Sequence, residues 1–274
     1  MKIAIVGLGL IGGSLAKAIK LYTSHTVMGL DIDPAVLSAA ISAGAIDQTG
    51  TPESLSTADI VLVALYPRQS IDFITQNRRS FKKGTIVADC SGTKSAICAT
   101  IPEIAAANDF YFIGGHPMAG KEKGGFESSD ALLFQGASFI VVPCGCDNVK
   151  VKAFTDFIML LGFSQTVTTS AQEHDSIIAY TSQLPHVLST AYVLSPACRK
   201  HFGFSAGSFR DVSRVALINE QLWSQLFIEN KLPLAQEIDL LIDNLALLKK
   251  HILSGEREEL KQLLAKGRII KQEV

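Results

Sequence analysis

The 274 residues carry 25 basic and 26 acidic side chains, a net charge of −1. At roughly 150 residues per domain this length suits two domains or one large one. Hydrophobic residues make up 47% and charged residues 19%, which excludes a disordered chain, and the balanced charge provides no basic field to hold nucleic acid. The five cysteines, Cys90, Cys98, Cys144, Cys146 and Cys198, lack a zinc-ligand pattern and read as free thiols of a cytosolic protein. Cys144-Gly145-Cys146 is not a complete metal or redox site, and no metal is expected.

Met1-Lys2 and the apolar residues 3–16 imitate a signal peptide. That run holds four glycines, however, and Lys17 and Lys20 continue an amphipathic pattern, so a secretory leader is not expected. No stretch reaches 18 apolar residues, so no transmembrane helix is expected either. Residues 3–6 read as a buried parallel strand, 10–22 as a helix and 27–30 as a second strand. Asp33-Pro34 opens a second helix with proline in its first turn. Residues 60–65 form a further strand, closed by Tyr66-Pro67. Residues 85–88 form the next, and a helix follows from about 94 to 107. Strands at 110–113 and 139–142, a helix at 149–161 and a last strand at 164–168 complete this part. Strands spaced by helices predict an α/β fold, a parallel sheet covered on both faces. Beyond Ser170 no convincing strand appears, and Ile238, Leu241, Ile242, Leu245 and Leu248 recur at helical spacing. The chain therefore divides at 1–168 and 169–274, the second part all helical. No Gly/Pro-rich linker separates them, so a cleft between two tightly packed parts is the expected ligand site.

Gly7-Leu8-Gly9-Leu10-Ile11-Gly12 follows the first strand and opens the first helix. In that context the pattern is a Rossmann-like dinucleotide fingerprint: Gly7 permits a tight turn, Gly9 a close pyrophosphate, Gly12 close helix–strand packing. Asp31, 24 residues after Gly7, is either the acceptor for a ribose 2′-hydroxyl or a helix-capping residue before Pro34. No arginine lies in residues 30–34 to welcome a 2′-phosphate, so NAD is expected over NADP. The strand ends Leu65-Tyr66-Pro67 and Asp89-Cys90-Ser91-Gly92-Thr93-Lys94 should border the cofactor. Gly114-Gly115-His116-Pro117-Met118-Ala119-Gly120 reads as a rigid loop at the same edge. Its histidine, with an ordinary pKa near ~6.5, suits proton abstraction at neutral pH. In the helical part, Ser182-Gln183-Leu184-Pro185-His186 sets a polar group and an imidazole around a proline. Arg210 and Arg214, four apart, are candidates for an anionic substrate. Trp223 reads as core.

Taken in order, these segments, with Glu122-Lys123, Phe209-Arg210-Asp211-Val212-Ser213-Arg214, Trp223 and Asn230, resemble the prephenate/arogenate dehydrogenase family of tyrosine biosynthesis over nearly the whole chain. The resemblance implies NAD-dependent oxidative decarboxylation of prephenate, in the cytoplasm, by a homodimer joined through the C-terminal helices. It implies His116 as the proton acceptor, Arg214 as the carboxylate anchor, His186 as a second substrate contact and Glu122 near the pocket entrance, with Gln183 beside them. Exposed apolar stripes on short C-terminal helices would themselves mark an interface. One departure stands out: the family serine falls on Gly92, which leaves Ser91 and Thr93 as the neighbouring hydroxyls. The chain length leaves no room expected for a fused mutase or a sizeable regulatory domain. The alternatives are an arogenate or dual-specificity cyclohexadienyl dehydrogenase, a 3-hydroxyacid dehydrogenase, which typically needs a lysine on the helical domain, and a non-catalytic NAD-sensing module.

Overall fold

The computed structural model describes residues 1–273; Val274, the last residue of the expected helical part, lies outside them. Eight strands form one sheet: β1 (Lys2–Val6), β2 (Thr26–Leu30), β3 (Gln48–Thr49), β4 (Ile60–Val63), β5 (Ile86–Asp89), β6 (Tyr111–Pro117), β7 (Ser138–Val142) and β8 (Gln165–Thr168). Their order is β3-β2-β1-β4-β5-β6-β7-β8. Five helices cover the sheet: α1 (Leu10–Tyr22), α2 (Pro34–Ser42), α3 (Pro67–Gln76), α4 (Ser95–Ala107) and α5 (Asn148–Met159).

The central strands are apolar on both sides because both faces are covered. Ile3, Ile5, Ile60 and Leu62 pack with Leu15 and Ile19 of α1 and Phe154 and Phe157 of α5. Their sequence neighbours Ala4, Val6, Val61 and Val63 point the other way, to Ile74 of α3 and Ile97 and Ile101 of α4. This is the two-residue period of a strand expressed twice over.

Three details depart from expectation. The sheet is not wholly parallel, because β6 and β7 pair antiparallel. Residues 118–137 between them hold only a short 3₁₀ turn, Phe126–Ser128, and without a crossover helix the chain cannot return to begin a parallel neighbour. Second, β4 stops at Val63 and Tyr66-Pro67 starts α3, with the proline at the first helical position, where its missing N–H has no partner to lose. Third, Gly114–Pro117 is strand and not loop. Pairing with β5 ends at Ile113, but β7 supplies hydrogen bonds onward, with His116 opposite Ile140.

The remainder is helical: α6 (Ala171–Ile178), α7 (Leu184–Val193), α8 (Gly207–Ser213), α9 (Glu220–Glu229), α10 (Lys231–Ser254) and α11 (Arg257–Glu273). No strand follows Thr168 among the described residues. A π-helical turn, Ala179–Gln183, joins α6 to α7. It widens the backbone just ahead of Pro185, which has no N–H to give. Much apolar surface stays uncovered in the single chain, including Ile242, Leu245 and Leu253 on α10 and Phe202 and Phe204 before α8. None of the described helices is long and apolar enough to cross a membrane.

The β1–α1 turn has no room for a side chain at Gly7 or Gly12. Gly7 has φ of +84°, and a Cβ on Gly12 would lie 1.8 Å from the Gly7 carbonyl oxygen. Gly12→Ala should therefore cost about 1–3 kcal/mol as overpacking against backbone, seen as a fall of several degrees in Tm. An unchanged Tm would refute this account of the turn.

Candidate active site

The carboxyl ends of the strands meet the helical part across a cleft of about 590 Å³. At its cofactor end, Gly9 caps α1, no side chain bonds to the helix N-terminus, and the first turn carries no acidic residue. A Cβ on Gly9 would meet nothing within 4 Å, so the space over the first turn is open. Those N–H groups and the helix dipole suit a pyrophosphate. Asp31 follows β2 and accepts from Leu8 N at 2.7 Å and Asp33 N at 3.0 Å, with lone pairs left for a ribose. The capping alternative falls away, because Asp33 is the residue that caps α2, accepting from Ala35 N. Gly9, Leu10, Ile11, Leu65, Tyr66 and Pro67 all line the cleft. Gly7, Leu8 and Gly12 shape the turn beneath. A dinucleotide such as NAD fits this set.

Below the cleft lies a buried polar cluster. Asp89, at the end of β5, forms an ion pair with Lys94, and both side chains are fully buried. Ser91 Oγ donates to the same carboxylate, and Gly115 N donates to its other oxygen at 3.1 Å. Thr93 Oγ1 donates to Glu229 at 2.9 Å. The hydroxyls that flank Gly92 are thus already engaged, Ser91 with the frame and Thr93 with α9. A Cβ on Gly92 would meet Leu226 at 3.2 Å and His116 Cε1 at 3.9 Å.

His116 stands above this cluster. Its Nδ1 lies 2.9 Å from His174 Nε2, and His174 Nδ1 lies 2.7 Å from Asp175 Oδ1. Burial, then the neighbouring His174 and Lys94, hold the His116 imidazole well below its usual pKa. The ordinary value expected from sequence is corrected accordingly, and the ring is neutral at neutral pH.

The helical wall carries the remaining candidates. His186 Nδ1 donates to Val215 O at 2.7 Å, and its ring packs on Trp223 with centroids 3.7 Å apart. Burial lowers its pKa. Arg214 begins a 3₁₀ turn after α8 ends at Ser213 and binds Glu122 at 2.6 Å. The Glu122 backbone N–H and then that bond hold the carboxyl below its usual range. Arg214 lines the cleft whereas Arg210 does not, although the Arg214 N–H still donates to the Arg210 carbonyl. Gln183 also lines the cleft, but its amide is committed, donating to Leu226 O and accepting from Asn230. Trp223, expected in the core, instead faces the cleft beside His186.

The structure thus gathers His116, His186, Arg214, Glu122, Gln183 and Ser91 around one cleft and turns Thr93 away to Glu229. Sequence reasoning missed His174 and Asp175. Their signal was position: Ala171, His174, Asp175 and Ile178 fall at i, i+3, i+4 and i+7, and all four are buried.

Two family models cover this architecture. One, described as the nucleotide-binding domain of prephenate dehydrogenase, matches residues 15–164; the other, its dimerization domain, matches residues 170–266. The chain belongs to the prephenate dehydrogenase family. Prephenate dehydrogenase of Bacillus subtilis is 27% identical over 94% of this chain and 72% of its own length. Cyclohexadienyl dehydrogenase of Zymomonas mobilis is 30% identical over 94% and 90%. Prephenate dehydrogenase of Aquifex aeolicus, solved with hydroxyphenyl propionate and NAD+, superposes with a TM-score of 0.90 at 26% identity, covering 100% of this chain and 98% of its own. Arogenate dehydrogenase of Synechocystis gives 0.87 at 25% identity, covering 100% and 99%.

The buried Asp89–Lys94 pair supports the strand that carries His116. Removing one partner of a buried pair strands the other charge, at about 3–5 kcal/mol. Lys94→Met should lower the urea midpoint by a corresponding amount. A midpoint equal to wild type would show that the pair contributes nothing.

Proposed function

We propose that this protein catalyses NAD-dependent oxidative decarboxylation of prephenate to 4-hydroxyphenylpyruvate and CO2, as a homodimer joined through its C-terminal helices. The observation that carries the reading is the placement of a neutral, half-buried histidine and an accessible arginine in one cleft, next to a dinucleotide cradle. NAD, when bound, accepts the hydride from the hydroxyl-bearing ring carbon. His116 takes the hydroxyl proton. Loss of the ring carboxylate as CO2 then follows, driven by aromatisation, and the His116 imidazolium returns the proton to the ring oxygen.

Each residue's part follows from its chemistry. Burial keeps His116 in its base form across the neutral range. Arg214 offers a planar two-pronged donor to a substrate carboxylate, in exchange for Glu122. His186 is oriented by Val215 and Trp223, and an incoming anion favours its charged, donating form. Asp31, with no arginine beside it, suits the ribose of NAD and repels a 2′-phosphate. Ser91 and Thr93, once candidates for the hydroxyl that Gly92 lacks, act in this reading on the frame.

The direct test is reduced-cofactor formation by purified protein on prephenate, arogenate and a simple 3-hydroxyacid, each with NAD and NADP. Prephenate with NAD should turn over fastest. Preference for arogenate would transfer the substrate assignment within the family, and preference for NADP would overturn the role of Asp31. In the same assay His116→Asn should lose about 10²–10⁴-fold in kcat, the usual scale for a lost general base, with NAD affinity retained. Near-native turnover would remove His116 from the mechanism.

Arg214→Gln should raise KM for prephenate about tenfold, roughly 1.4 kcal/mol, and change kcat less. Arg210→Gln, outside the cleft, should leave KM within about twofold. The reverse order of effects would move the anchor to Arg210.

A further inference from the structure

The base in this reading is itself held by two residues of the helical part. His174 and Asp175 are each 2% exposed, far from solvent, and neither is needed to touch substrate. We propose that Asp175 and His174 are positioning residues that fix the tautomer of His116, leaving its Nε2 unprotonated for the substrate hydroxyl. The proposal rests on His116 being the base.

With a neutral His174 the hydrogen bonds allow one assignment. The Asp175 carboxylate faces two backbone donors, Lys94 N and Ser95 N, each at 2.8 Å. A backbone N–H can only donate, so the carboxylate accepts both. Burial pushes its carboxyl up, but the bonds from His174, Ser95 and Lys94 outweigh that and keep it ionised. Against an ionised oxygen at 2.7 Å, Nδ1 of His174 carries the proton. A neutral imidazole has one N–H, so Nε2 of His174 is an acceptor. Its partner at 2.9 Å, Nδ1 of His116, then donates, and Nε2 of His116 is left with its lone pair. The opposite arrangement would set two lone pairs of His174 and Asp175 against each other and put a proton on the catalytic nitrogen. The other charges nearby, Asp89 and Lys94, are spent on each other.

The same chain serves the next instant of the reaction. When His116 takes a proton it becomes a half-buried cation. Its Nδ1–H still points at His174, whose far side meets the Asp175 carboxylate, so the new charge is compensated within the protein. A carboxylate behind an imidazole performs this service in serine proteases, where its amide analogue leaves geometry intact but selects the wrong tautomer. Here a second imidazole stands between the two.

The test uses the full-length protein. Nitrogen-15 NMR of histidine-labelled wild type, without substrate, should show His116 Nε2 unprotonated and Nδ1 protonated; a proton on Nε2 overturns the proposal whatever His116 does in catalysis. Asp175→Asn should shift that proton to Nε2 and lower kcat about 10²–10⁴-fold. His174→Leu should lower kcat about 10²-fold or more, with KM and NAD affinity within about threefold. His174→Gln, which restores an acceptor near the Nε2 position, should recover about tenfold of that. In a His116→Asn background, His174→Leu should change kcat less than about twofold, since a positioning residue acts only through the group it positions. Additive losses there would make His174 a structural residue and overturn the proposal. Near-native turnover of His116→Asn alone would instead sink the base assignment, an outcome separate from the tautomer spectrum.

Discussion

The N-terminus of α4 is capped from the other half of the molecule. Lys94, its N-cap residue, makes no side-chain cap bond of its own, and the N–H groups of Lys94 and Ser95 both donate to Asp175 on α6. A buried carboxylate at a helix N-terminus combines charge-assisted hydrogen bonds with a favourable dipole. Asn230 continues the lock: its amide donates to the Asp175 carbonyl and to Gln183. One point thereby ties together the start of α4, the body of α6, the π-helical turn and the α9–α10 corner. The helical part on its own encloses only a small core around Ala179, Leu184 and Leu234, and this polar junction adds a fixed point between it and the sheet.

Asp89 does for β6 what Asp175 does for α4. Its oxygens hold Lys94 and the backbone of Gly115, one residue before His116. A Cβ on Gly115 would lie 2.5 Å from the Asp89 carbonyl oxygen, so this close approach needs glycine. Buried ion pairs seldom add net stability over apolar packing, and their use is in specifying one arrangement. That is a fitting account here, since the pair lies beneath the imidazole and Asp89 also accepts from the backbone N–H groups of Ser91 and Gly115. The hydroxyl of Ser91 belongs to the same frame and that of Thr93 is bound to Glu229 on α9, which leaves Gly92 and Leu226 as an apolar floor under His116.

The sequence made the dinucleotide half legible for a simple reason. Strands covered on both faces read as short apolar runs, and the glycine turn between β1 and α1 has few sequence solutions. What was hidden depends on partners remote along the chain. Gly114–Pro117 is extended because β7, some twenty-five residues away, offers a ladder where β5 has stopped. Trp223 faces the cleft because His186 sits under it. Helix α3 went unread because Arg68, Gln69, Asp72 and Gln76 interrupt its apolar positions. His174 and Asp175 were hidden by a sound rule: charged residues in a helix usually mark its solvent face, and here they occupy its buried stripe.

Charges in this protein sort by burial into two tasks. Asp89, Lys94 and Asp175 are enclosed, multiply bonded and costly to disturb, and they build the frame. Glu122 and Arg214 meet across the mouth of the cleft with most of the guanidinium and half of the carboxylate side chain in solvent. An exposed pair is screened and contributes little, so exchanging Glu122 for the carboxylate of the proposed substrate has a small cost on the protein side. The weak pair at the rim is therefore compatible with an anchor that must be free when substrate arrives, whereas a buried arginine with a fixed partner would have to break that partnership first.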